Sequence, residues 1–337
     1  MLPTLTQRAL MLIAIVAAAF AWLAVRLPLT AAQGSSGLSL MDARIGVVLA
    51  CLLLLAAGLP ALISAMYVSA SGNPLSGIFT TGFALMILAG QSGSMAGLIQ
   101  RQQDGGGVFA ALMIELGLWA LAWCVLMFLI RRYRDLIRAN LVPPRLQTPF
   151  SRKLTEEDTP RFVLHVAPIV AGLICSTLGY LGCRYLIATP ATGQVIGSLL
   201  VVFTCAAFAA REFVPTGNVV FLVLSPLIVA LAGYAHMAVS HGPASSQDLT
   251  ALWQSGQITG PAMAMPIHYA SAGMVGVATG IGLAQAIDRV RFAEEVITEK
   301  PDQPGPATDD APVELGGVEP DKFREPEPQQ TPEKPTE

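Results

Sequence analysis

The sequence predicts an all-α fold: a polytopic membrane helix bundle of about eight transmembrane helices, followed by a disordered C-terminal tail. Three observations predict it. Of 337 residues, 53% are apolar and only 13% are charged, against about 25% charged in soluble domains. Eight stretches each approach the roughly 20 apolar residues a spanning helix needs. Almost all the charges fall between those stretches or beyond the last. Such a composition excludes a one-domain soluble enzyme, a nucleic-acid binder and a disulfide-stapled secreted module.

The expected spans are 9–26, 45–68, 76–99, 107–130, 162–183, 193–210, 218–239 and 261–287. The first follows Arg8, and its apolar core of about 17 residues exceeds the roughly 7–15 of a signal peptide, which favours a retained helix. The third is weakest, because GQSGSMAG (90–97) is small and polar; a re-entrant or broken helix is the alternative. RRYRDLIRANLVPP (131–144) extends the fourth span until Pro143 and Pro144 stop it. Its Arg131, Arg132, Arg134 and Arg138 are expected against anionic lipid headgroups. SSQDLTALWQSG (245–256) reads as an interfacial helix with Leu249, Leu252 and Trp253 on one face. Pro60, Pro168 and Pro226 lie within spans and are expected to kink them.

Basic loops stay cytoplasmic. Residues 131–161 hold eight arginines and lysines, and the connections on that side hold twelve against four on the other. With eight spans, both termini are cytoplasmic in the cell (inner) membrane. The membrane domain is expected over 1–297. Two related four-helix halves, 1–145 and 146–297, are one reading of it, since SGN (71–73) and TGN (216–218) each precede a span carrying LAG. Residues 298–337 form the tail. Residues 301–337 hold ten acidic and three basic residues and nine of the 24 prolines, a composition that stays disordered. It is either a solvated tether or a docking strip for a cytoplasmic partner.

Chemistry-bearing residues are few. Glu115 is the one carboxylate well inside a span, about 12 Å from its outer end. It reads as a proton or cation site, or as a protonated side chain bonded to a neighbouring helix. His236, His241 and His268 fall towards one outer region with several methionines, an arrangement that would suit copper or haem but lacks a compact ligand motif. GQSG (90–93) invites comparison with intramembrane proteases that pair a GxSG serine with a histidine on a later helix. His268 would then be the base for Ser92, but the rest of that pattern is missing. The pairs Gly93/Gly97 and Gly276/Gly280 have GxxxG spacing, which lets helices approach closely. Cys51, Cys124, Cys175, Cys183 and Cys205 have no CxxC spacing and read as small hydrophobes.

The leading expectation is a non-enzymatic, permease-like or scaffolding subunit of a membrane complex, without a cofactor. It would meet the lipid bilayer and other membrane or cytoplasmic subunits through its helix faces and tail. The alternatives are a stand-alone secondary transporter using Glu115, and a redox or copper-handling protein using the histidines.

Overall fold

The computed structural model describes residues 5–29, 39, 45–101, 107–143, 166–216, 218–241 and 246–298, and all regular structure among them is helical. The expected acidic tail beyond 298, the basic loop over 144–165 and His165 lie outside the described residues. The chain runs through α1 (Leu5–Ala24), α2 (Arg26–Leu29), α3 (Val47–Ser71), α4 (Pro74–Ala89), α5 (Met95–Arg101) and α6 (Gly107–Asn140). It continues through α7 (Val166–Leu186), α8 (Thr192–Phe213), α9 (Val220–His241) and α10 (Ser246–Gln254). A 3-10 turn (Gly260–Met263) leads to α11 (Pro266–His268), a π-helical turn (Tyr269–Gly273) and α12 (Met274–Thr298).

Among the described residues, seven helices are long and apolar enough to cross a bilayer: α1, α3, α6, α7, α8, α9 and the continuous run Pro266–Asp288. The chain is a multi-pass membrane protein. The third expected span, 76–99, is a broken helix. α4 has 16 residues, or about 24 Å. Ser and Gly are poor helix formers, and after Ala89 the chain turns instead of continuing. Gln91 N–H donates to Leu88 O and Ser92 N–H to Ala89 O, both at 2.9 Å, before α5 restarts the helix at Met95.

α4 still joins the two ends of the bundle. At one end Gln7 Nε2 of α1 donates to Ser71 O at 3.3 Å. Asn73 Oδ1 accepts from Leu75 N–H at 3.0 Å, which caps α4, while its Nδ2 donates to Gln285 Oε1 of α12 at 3.1 Å. The start of α1, the end of α3, the start of α4 and the far part of α12 therefore share one end, along with Arg134 of α6 described below. At the opposite end, Thr192 of α8 reaches the carbonyls of Ser92 and Gly93 at 3.4 Å each. α4 thus runs from one end of the bundle towards the other, although it is short.

Close approach between helices is set by glycine. A Cβ on Gly276 would lie 2.7 Å from Leu200 O, and one on Gly280 would collide with Thr204 O. This half of the expected pairing lets the last span rest on the backbone of α8. Gly282, two residues beyond Gly280, faces open space. Gly93 and Gly97 do not form a helical face, because Gly93 lies in the turn before α5. On Gly77 a Cβ would meet Ala65 O at 2.6 Å, so α3 and α4 are in backbone contact there. α9 and the last span are the most enclosed, with 61% and 72% of their apolar windows buried, against 28% and 22% in α1 and α3. The centre of the bundle thus lies around α9 and the last span, and α1 and α3 form its periphery. All five cysteines are free thiols.

Candidate functional site

The two irregular segments of the bundle meet. The turn after α4 brings Ser92 Oγ within 3.0 Å of His268 Nε2 at the end of α11. Both residues are buried. Sequence spacing alone places Ser92 partway along a continuous span; ending α4 at Ala89 is what carries it to His268.

The proton positions follow from the neighbours. Met265 N–H donates to His268 Nδ1 at 3.1 Å, so Nδ1 must be the unprotonated nitrogen. In a neutral imidazole the proton then sits on Nε2, which donates to Ser92 Oγ. Ser92 Oγ–H in turn donates to Ala89 O at 2.6 Å. A serine nucleophile needs the reverse, with Nε2 accepting the hydroxyl proton. Turning the tautomer round would set Nδ1–H against Met265 N–H. In this arrangement the pair pins two helix breaks together, with the Ser92 hydroxyl proton directed to Ala89 O.

The non-helical backbone around His268 is buried, and irregular backbone at membrane depth is tolerated only where its polar groups are satisfied within the protein. Two tyrosines do this. Tyr234 Oη of α9 donates to Ala264 O at 2.5 Å, and Tyr269 Oη donates to Pro261 O at 2.8 Å. Gly233 allows that approach, since a Cβ there would lie 2.9 Å from Pro261 Cβ. The π turn is supported in the same way: Trp123 Nε1 of α6 donates to Ala270 O at 3.1 Å, and Ser271 Oγ to Ile267 O at 2.6 Å. None of these aromatic donors stands out in the sequence, because Tyr and Trp in apolar runs usually read as packing or interface residues. The span expected from 261 starts only at Pro266: Gly260, Pro261 and Pro266 favour a turn there over the start of a helix.

Glu115 is 1% exposed and accepts from Ser39 Oγ at 2.6 Å. The carboxyl group is held by a chain segment between spans as well as lying inside a helix interface. The three histidines do not come together: His268 is committed to Ser92 and Met265, while His236 is exposed and His241 half-buried on α9. Among the described residues, no three His, Cys, Asp or Glu side chains are grouped so as to hold a metal ion.

Arg134 departs from the headgroup expectation. It is 7% exposed, and its Nε donates to Ser69 O at 3.1 Å and its Nη2 to Gly72 O at 2.9 Å. The last carbonyls of a helix lack intrahelical partners, so this guanidinium closes the C-terminus of α3. Arg131 and Arg132 are exposed. The expected interfacial helix exists as α10, but it packs on α5. Its Leu249 is buried, and Leu252 and Trp253 are partly buried against the protein core, so its apolar face is turned towards the bundle.

No known protein family, no curated protein and no solved structure matches this chain.

Proposed function

We propose that this membrane protein is a non-enzymatic, permease-like or scaffolding subunit of a membrane complex. One observation carries the reading: two broken helices meet at the Ser92–His268 pin, and side chains from neighbouring helices satisfy the exposed backbone around it. Discontinuous helices at an internal junction are where transport proteins place their substrate paths, and the tautomer at His268 speaks against hydrolysis. Partner subunits would dock on the peripheral faces of α1 and α3 and on the tail at 298–337. In this reading the protein sits in the cell membrane with both termini cytoplasmic. Purification from native membranes in mild detergent should return a stoichiometric partner, and deleting 301–337 should weaken its retention. A homo-oligomer that transports a solute by itself would contradict the subunit reading.

A second reading, a proton- or cation-coupled transporter, is favoured by the burial of Glu115 and its bond to Ser39. It requires Glu115→Gln to abolish coupled flux in vesicles. Unchanged flux would remove Glu115 from the mechanism.

A further inference from the structure

A cavity of about 390 Å³ lies among α1, α3, α4 and α6, within the roughly 300–1,000 Å³ of small-molecule sites. Its lining includes Leu55, Leu59 and Leu121, which are 68%, 58% and 61% exposed. The cavity therefore opens sideways onto the hydrocarbon of the bilayer.

Its walls are apolar, and three of the lining residues each carry a buried polar atom that has no hydrogen-bond partner among the described residues. Nε1 of Trp22, Nε1 of Trp119 and Oγ1 of Thr81 are buried without a partner, on residues that all line this cavity and are 6%, 8% and 9% exposed. Trp123, also in the lining, has its N–H on Ala270 O. A buried polar group left unpaired is costly, so three on residues around one space mark a place where something else supplies acceptors. An indole N–H can only donate, which requires an acceptor atom on the occupant.

Depth narrows the choice. A Cβ on Gly58 would lie 3.6 Å from the Trp22 ring, and Gly58 is about 17 Å along α3 at 1.5 Å per residue. By the same rise, Trp119 is about 18 Å along α6 and Thr81 about 11 Å along α4. These positions fall near the middle of a hydrocarbon layer about 30 Å thick. The ester oxygens of phospholipids stay at its edge. A lipophile that carries its own carbonyl into the hydrocarbon fits better, and a flat ring can also stack on the indoles. We infer that this cavity binds a lipid of the isoprenoid-quinone class, with a ring carbonyl accepting from the unpartnered indole and hydroxyl donors and the chain leaving between Leu55 and Leu121 into the bilayer. These donor atoms are buried, so binding requires their side chains to turn towards the cavity.

The test titrates the full-length chain in phosphatidylcholine nanodiscs with a decyl-substituted benzoquinone, against empty nanodiscs. Decylbenzene serves as the hydrocarbon control. Saturable one-to-one binding of the quinone is expected, with much weaker binding of decylbenzene. Trp119→Phe and Thr81→Val keep the apolar volume and should each weaken quinone binding about 5- to 10-fold, as for one lost hydrogen bond. Thr81→Val is nearly isosteric and keeps the test open if Trp119→Phe fails to fold. Equal binding of quinone and decylbenzene, or quinone binding unaffected by Thr81→Val, would show a plain pocket for lipid tails and overturn the inference. So would the absence of saturable binding.

Discussion

A guanidinium at the end of a membrane span can be solvated by headgroups or by the protein. Arg131 and Arg132 are exposed, whereas Arg134 donates to Ser69 O and Gly72 O. Removing a charged donor from buried acceptors costs about 1.5–3 kcal/mol. Arg134→Met should therefore lower the detergent melting temperature by several degrees, with Arg131→Gln and Arg132→Gln unchanged; equal effects at all three would place Arg134 among the headgroup contacts. The four arginines are alike in sequence, and only the position of the α3–α4 corner separates them. Ser92 gives a second test at this scale. The Ser92 hydroxyl is a donor to Ala89 O and an acceptor from His268, so a fluorophosphonate probe should leave it unlabelled, and Ser92→Ala should cost only about 1 kcal/mol of stability. Labelling that disappears in Ser92→Ala would restore the nucleophile. GQSG and His268 could be singled out in the sequence, but the tautomer could not, because the backbone N–H of Met265 decides it.

Among the elements, those with a strong apolar signal were the most legible. Seven of eight expected spans correspond to long helices, since about 20 apolar residues leave a chain in lipid little alternative to an α-helix. The break in the third span was visible as a polar, glycine-rich stretch, but its consequence was not, because that depends on which segment faces it. α10 shows the same limit: its apolar face was readable, yet whether lipid or α5 covers that face depends on contacts distant in sequence. The glycines of the last span separate in a measurable way. Gly276→Val and Gly280→Val would force side chains into α8 backbone, and overpacking of this kind costs about 1–3 kcal/mol or more. Gly282→Val meets nothing and should melt like the wild type. Equal melting of all three would mean that the last span does not rest on α8.

At the scale of the molecule, polar contacts tie α1 to the end of α3, and the start of α4 to α12, at the Asn73 end, and the helix breaks lie at the other. Composition predicted the bundle, and the count of basic residues gave an expected orientation. Neither could show that the third leg is a short helix that turns and restarts. That leg is the central claim, because a re-entrant segment would return Ser92 to the Arg134 end and dissolve the junction with His268. The most direct measurement is sided labelling of single cysteines in a chain stripped of its five native thiols. Gln91, Ser255 and Asn140 are all exposed and suit the substitution. The topology requires Gln91→Cys and Ser255→Cys to react from one side of the membrane and Asn140→Cys from the other. Labelling of Gln91→Cys from the same side as Asn140→Cys would contradict it.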